Sequence, residues 1–288
     1  MNTFKRYAQQ PQEPYKIIQT NQGKFAILKP MIAPIHVAED YYRQIMPLIK
    51  AMIDDYIDIV NKYFDSGVGH LPNAQDAKPS HYMQDFRKAL LATAIKWNKI
   101  FERKSLPIAK TIVSKVDKHV VLVTQATKRG LKESNWYVPF SENAENALIS
   151  QEALIAQNVA LIRNIPQDVQ KSILRDVMEA SMRGRDKKYL TEQLIKYENI
   201  TKARAKRIAY DQINKATSAI STARQKDLGI KYNMWKHSFG DKQPRKSHLE
   251  ANNKMFELDK GCLIDGEYIF PAEKINCTCY SVMVLKLD

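Results

Sequence analysis

Near the end of the chain stand the residues with the clearest capacity for chemistry: His248, Cys262, Cys277 and Cys279, with Asp241 and Arg245 completing an Asp-x-x-x-Arg-x-x-His run. Two thiolates and an imidazole are ligands that suit zinc, and Cys262 or Asp241 is available as a fourth. Structural zinc sites usually place two to four residues between paired cysteines. The single-residue gap between Cys277 and Cys279 is expected to send the two sulfurs to opposite faces of a strand. A packed core with buried free thiols, or a pair close enough to bridge, explains the same cysteines without a metal. Zinc at His248, Cys277 and Cys279 is the one candidate cofactor these residues permit.

Asp241, Arg245 and His248 also have a catalytic reading, in which the histidine acts as a general base and the carboxylate orients it. That would suit an enzyme acting on nucleic acid or on a host target. No glycine-rich phosphate loop, nucleophile elbow or paired-histidine metal motif accompanies them, so the expectation is a protein without catalysis. An internal role fits better: Asp241 pairs with Arg245 across a turn, and His248 is hydrogen-bonded beneath them.

The elements that must position these residues follow from periodicity. Residues 1–35 contain Pro11, Pro14, Pro30 and Pro34 and suit an extended N-terminal arm, docked on a neighbour or disordered. From Glu39, the residues Ile45, Leu48, Met52, Tyr56, Ile59 and Tyr63 recur at helical spacing, up to Gly67 and Gly69. A loop follows, and Ser80 is placed to cap a helix carrying Met83, Phe86, Leu90, Trp97 and Phe101. Residues 107–129 favour a separate helix opened by Pro107, with Ile108, Ile112, Val116, Val120 and Val123 on one face, in competition with strands. Further helices are expected from Ser141 to about Asn164, from Pro166 to near Gly184, from Thr191, and from Thr201 to Gly229. Beyond Gly229, the segments YNMWKHS, GCLIDGEYIF and CYSVMVLKL read as short strands. The expected fold is mainly α: an arm over 1–35, a helical domain over 36–164, and a segment over 165–288 in which a long helix carries a small α+β or β-rich cap.

Across 288 residues, 44% are hydrophobic, enough for a substantial core. Three cysteines confined to the last tenth of the chain are not the framework of a secreted disulfide scaffold, and a reducing compartment is expected. The opening residues lack the apolar run of a signal peptide, and no apolar stretch is long enough for a membrane span. The expectation is a protein made and used in cytosol. The net charge of +14 is unevenly placed. Residues 86–132 carry 12 Lys/Arg against 2 Asp/Glu and residues 161–226 carry 15 against 7, whereas residues 227–288 carry 9 of each. Two clusters stand out, Lys96, Lys99, Arg103 and Lys104, and Lys202, Arg204, Lys206 and Arg207. Each is either a solvated helix face or a surface for double-stranded DNA, which such cations bind without regard to sequence by releasing counterions.

The order of parts in the last third of the chain resembles the phage Mu F-like head-morphogenesis family. The resemblance rests on Asp211, Gln212, Asn214 and Lys215 on a helix, then Gly229, Trp235, Asp241 with Arg245 and His248, Pro271, and Asn276 with Cys277 and Cys279. It covers roughly residues 165–282. Departures occur at Tyr210, Gln243 and Thr278, where relatives usually carry arginine, and at Asn252 or Asn253, where a glycine is expected. What the resemblance implies is a minor head protein of a tailed bacteriophage: a few-copy capsid component acting in head assembly, partnered by the portal protein and head subunits. It would lie in the virion, inside the capsid near the portal and packaged DNA, and pass through the host cytoplasm during assembly. No membrane partner and no established catalytic activity are implied.

Overall fold

A computed structural model describes residues 15–20, 23–65, 81–133, 145–182, 187–239 and 243–287. The fold is mainly α with a small strand-rich C-terminal part, as expected. Four long helices dominate: α1 (Ile35–Asp65), α2 (His81–Glu133), α3 (Glu145–Met182) and α4 (Lys187–Asp227). Strands β1 (Tyr15–Thr20) and β2 (Gly23–Pro30) precede them. After α4 come β3 (Tyr232–Lys236), the short helix α5 (Lys246–Glu250), β4 (Met255–Glu257), β5 (Cys262–Ile264), β6 (Glu267–Ile269) and β7 (Tyr280–Leu287). Among the described residues no helix is long and apolar enough to cross a membrane.

The helices are longer than expected because proline does not end them. Pro47, Pro107 and Pro166 all lie inside α1, α2 and α3. Each removes a backbone N–H and crowds the preceding turn, at a cost of about 3 kcal/mol. The apolar phase nevertheless continues through them. Along α2 the buried residues Leu90, Ala94, Trp97, Phe101, Ser105, Ile108, Ile112, Val116 and Val120 keep a spacing of three or four across Pro107. Breaking the helix there would rotate half of that stripe out of the core. The Ser105 hydroxyl donates to the Glu102 carbonyl, 2.8 Å away, just before the proline. Along α3, Asn158, Ile162, Ile165, Val169 and Ile173 run in phase past Pro166, and along α4 the helix passes Thr201 without interruption. The expected cap at Ser80, the expected helix start at Ser141, the side chain of Met83, the loop before Ser80 and the stop near Gly184 lie outside the described residues.

The chain forms two compact units. One comprises Glu39–Lys110 and Ala156–Ile208 and is entirely helical where described. Its core takes Tyr41, Ile45, Ile49, Met52, Ile53, Tyr56 and Val60 from α1, one residue off the stripe read from sequence at Ile49 and Val60. Two polar contacts inside this core are specific. The Tyr41 hydroxyl donates to Asn158 Oδ1 at 2.7 Å, and the Trp97 indole donates to Asp55 at 2.7 Å.

The other unit comprises Met1–Ala38, Thr111–Ile155 and Ala209–Asp288. This division replaces the expected boundary at 164/165, which falls inside α3. Its sheet has the order β1-β2-β7-β3-β4 with antiparallel pairing throughout. Residues 15–30 are therefore not an extended arm. They form a hairpin whose β2 pairs with the last strand, Phe25 facing Lys286 and Ile27 facing Val284. The reason is alternation. Phe25 packs with Met234, Val282 and Val284 on one sheet face, while Ala26 and Leu28 pack with Leu228, Ile230, Met283 and Leu285 on the other. Pro30 is accommodated at an irregularity in the pairing, where the missing N–H is not needed. Residues 1–14 lie outside the described part.

Where α4 ends, Gly229 adopts φ +75. The Ile230 N–H bonds to the Gln225 carbonyl and the Gly229 N–H to the Lys226 carbonyl, both at 2.9 Å, the Schellman arrangement that turns the chain sharply into β3. One residue before the glycine's neighbour, the Asp227 carboxylate accepts from the Asn146 side chain at 2.7 Å, beside the first turn of α3. Truncating Phe25 to alanine should lower stability by about 3–5 kcal/mol in urea unfolding, because a side chain sealed in a sheet core leaves a cavity. A loss under about 0.5 kcal/mol would mean that the N-terminal hairpin is only an appendage.

Candidate functional site

The cap is held to α4 by a polar stripe. Asp211, Ser218 and Gln225 are spaced by seven residues, so they fall on one side of the helix, two turns apart. Asp211 accepts the Asn276 N–H at 2.6 Å and pairs with Lys215 at 2.8 Å, its side chain only 10% exposed. The Ser218 hydroxyl donates to the Pro271 carbonyl, and Gln225 accepts from the Asn233 amide at 2.7 Å. Helix α4 thus grips both ends of the 271–276 turn and the second residue of β3. The turn needs that grip. Ala272 and Asn276 have φ +66 and +57, a region costly for side chains other than glycine and eased in part by asparagine. Arg245, just before α5, adds a further tether by donating to the Ile275 carbonyl at 3.0 Å.

That turn delivers the cysteines. Cys277 and Cys279 come immediately before β7, and their Sγ atoms lie 3.4 and 3.6 Å from the same Nδ1 of His248 on α5. Potential ligand atoms of the three side chains all lie within 4.8 Å of one another. The expectation that the single-residue gap parts the sulfurs is incorrect. Residues i and i+2 of an extended segment point to the same side, and here both reach one imidazole. His248 is fixed in turn by Trp235, whose ring stands edge-on to it at 5.1 Å. All four residues are at most 3% exposed, and Trp235, Cys277 and Cys279 cluster with Ala251, Phe256, Cys262, Ile264 and Ile269. Hydrogen bonding from the Cys279 thiol pulls the Cys277 thiol down to about 6 against the opposing effect of burial, with help from the Cys279 and Ala272 backbone and the nearby His248. Burial pushes the Cys262 thiol the other way.

Asp241 lies outside the described residues, so its expected pairing with Arg245 is not among the contacts. Arg245 and His248 face different partners, a backbone carbonyl and two thiols. The imidazole is therefore buried rather than presented to a substrate. Of the residues at which arginine was expected, Thr278 shares a 2.5 Å hydrogen bond with Ser238, and Tyr210 lines a cavity. Asn253 has φ +71, which explains why a glycine suits that position. Sequence reasoning missed Ser218 and Gln225; their spacing of seven from Asp211, on a helix otherwise buried through Ala209, Ile213, Ala216 and Ile220, was the available signal.

The basic clusters lie in the helical unit and divide into two kinds. Lys96 pairs with Asp55 at 2.6 Å, while Lys202 and Arg204 are occupied by Glu198 and Asp168. Lys99, Arg103, Lys104, Lys206 and Arg207 are exposed and form no ion pair among the described residues.

Comparison with known proteins bears on the cap and the helix that carries it. Residues 171–282 match a family described as "Phage Mu protein F like protein". A protein of Haemophilus influenzae, described as an uncharacterized protein, is 32% identical over 146 residues, 51% of this chain and 32% of that relative. The chain therefore spans about a third of the length of the relative. No solved structure matches.

Replacing Asp211 with alanine should cost about 2–3 kcal/mol in denaturant unfolding, because a mostly buried carboxylate with charge-assisted partners is lost. Glu257→Ala, which removes an exposed pair with Lys260, should cost under about 0.5 kcal/mol. Equal effects would contradict the clamp.

Proposed function

We propose that this chain, whose residues 171–282 match the phage Mu protein F-like family, is a minor head protein of a tailed bacteriophage. In this reading it acts in head morphogenesis, associates with the portal and head subunits inside the capsid, and contacts packaged double-stranded DNA. The observation that carries the reading is the family match itself, because its range spans the stripe of α4, the 271–276 turn and the His248, Cys277 and Cys279 cluster. The matched side chains serve to join a helix to a cap. That is a structural task, and it accords with a role in assembly rather than catalysis.

The proposed DNA contact rests on charge. Five exposed cations, Lys99, Arg103 and Lys104 on α2 and Lys206 and Arg207 on α4, have no ion-pair partner among the described residues. Neutralising phosphates would release counterions and give affinity that falls steeply with salt, about 0.9 in logarithmic slope for each phosphate contacted. Lys96, Lys202 and Arg204 contribute less, since each would first have to leave a carboxylate.

Two measurements test the two arms separately. Mass spectrometry of purified heads, with a pull-down on the portal protein, should find this chain in both samples; absence from both would end the head-protein reading. Duplex DNA should bind the purified chain with a salt slope that falls by about 2–3 in Lys99→Glu/Arg103→Glu/Lys104→Glu. Binding without a salt slope, or unchanged in that variant, would remove DNA contact through these residues while leaving head assembly to the first arm.

A further inference from the structure

We infer that His248, Cys277 and Cys279 hold one zinc ion, with a solvent molecule as its fourth ligand. The inference goes beyond the assembly role and starts from a convergence of donor atoms. Nδ1 of His248 has two sulfurs beside it, at 3.4 and 3.6 Å, and ligand atoms of the three side chains all lie within 4.8 Å of one another. One shared cation accounts for that spacing.

The distances agree with that cation. Zinc at the usual 2.3 Å from sulfur and 2.0–2.1 Å from nitrogen, with tetrahedral angles, sets its sulfur and nitrogen ligands about 3.6 Å apart. Two thiolates and an imidazole are also a donor set that zinc takes in preference to magnesium or calcium. Burial alone does not produce such convergence. Cys262 lies in the same apolar cluster, 3% exposed, and does not join the group of three.

The arrangement is positioned before any metal arrives. Trp235 braces the imidazole, Asp211 and Ser218 hold the turn leading into Cys277, and β7 begins directly after Cys279. No fourth His, Cys, Asp or Glu belongs to the group among the described residues. Cys279 does line a cavity of about 340 Å³ whose wall also includes Tyr210, Asn214 and Thr278. That cavity supplies the route for the solvent ligand. A metal here would tie α5 to the start of β7 and so lock the cap.

The full chain, produced with zinc and purified without a histidine tag or chelator, tests this by elemental analysis. One zinc per chain is expected, and replacement by cobalt should give a thiolate-to-cobalt charge-transfer band. The band should persist in Cys262→Ser and disappear in Cys277→Ser/Cys279→Ser, with chelation lowering the thermal midpoint of the wild type. Wild-type protein that takes up neither metal under reducing conditions overturns the proposal without recourse to any variant. So does a band that survives loss of Cys277 and Cys279.

Discussion

The grip of α4 on the 271–276 turn is the constraint from which the rest of the C-terminal unit follows. A turn with two non-glycine residues at positive φ does not hold its shape unaided. Asp211 and Ser218 supply bonds at its two ends, and Arg245 supplies a third between them. Because the bonds from Asp211 and Ser218 come from one helix, the cysteines that follow are placed relative to α4. The sheet depends on the same grip. Strand β7 starts immediately after Cys279, and both β2 and β3 take their register from it. Gln225, at the far end of the stripe, repeats the device on Asn233 within β3.

Within the matched range, Asp211, Ser218, His248, Asn276, Cys277 and Cys279 are turned inward and join helix to cap, whereas Lys206 and Arg207 stand exposed on α4. Of the two basic clusters, Lys99, Arg103, Lys104, Lys206 and Arg207 are exposed and unpaired among the described residues, because Asp55, Glu198 and Asp168 take up only part of each cluster. A basic cluster read from sequence counts every cation alike. A cation already beside a carboxylate offers less to a phosphate, because that pairing must be given up first.

Much of this was legible in the residues, and the misses have physical causes. Periodicity located the helices and the strands after Gly229, since both depend on local patterns of burial. The helix breaks were wrong because proline, favoured in a first turn, is also tolerated in an interior where packing offsets its cost; only the unbroken phase across Pro107 and Pro166 tells these apart. The N-terminal hairpin was missed because β2 finds its partner at the opposite end of the chain, and no local pattern reports such a pairing. Within the site, Asp211, Arg245, His248, Cys277 and Cys279 were visible by type. Their partners were not: the Asn276 amide and the Ile275 carbonyl are backbone groups, which every residue carries alike.

Hydrogen exchange on the wild type and Asp211→Ala tests the clamp most directly, since it reports the turn itself rather than global stability. Amides of residues 272–279 should exchange at least about tenfold faster in the variant, a change of about 1.4 kcal/mol in local opening, with the amides within residues 39–65 unchanged. Exchange in 272–279 that is the same in both proteins would show that the turn holds itself, and would contradict the account.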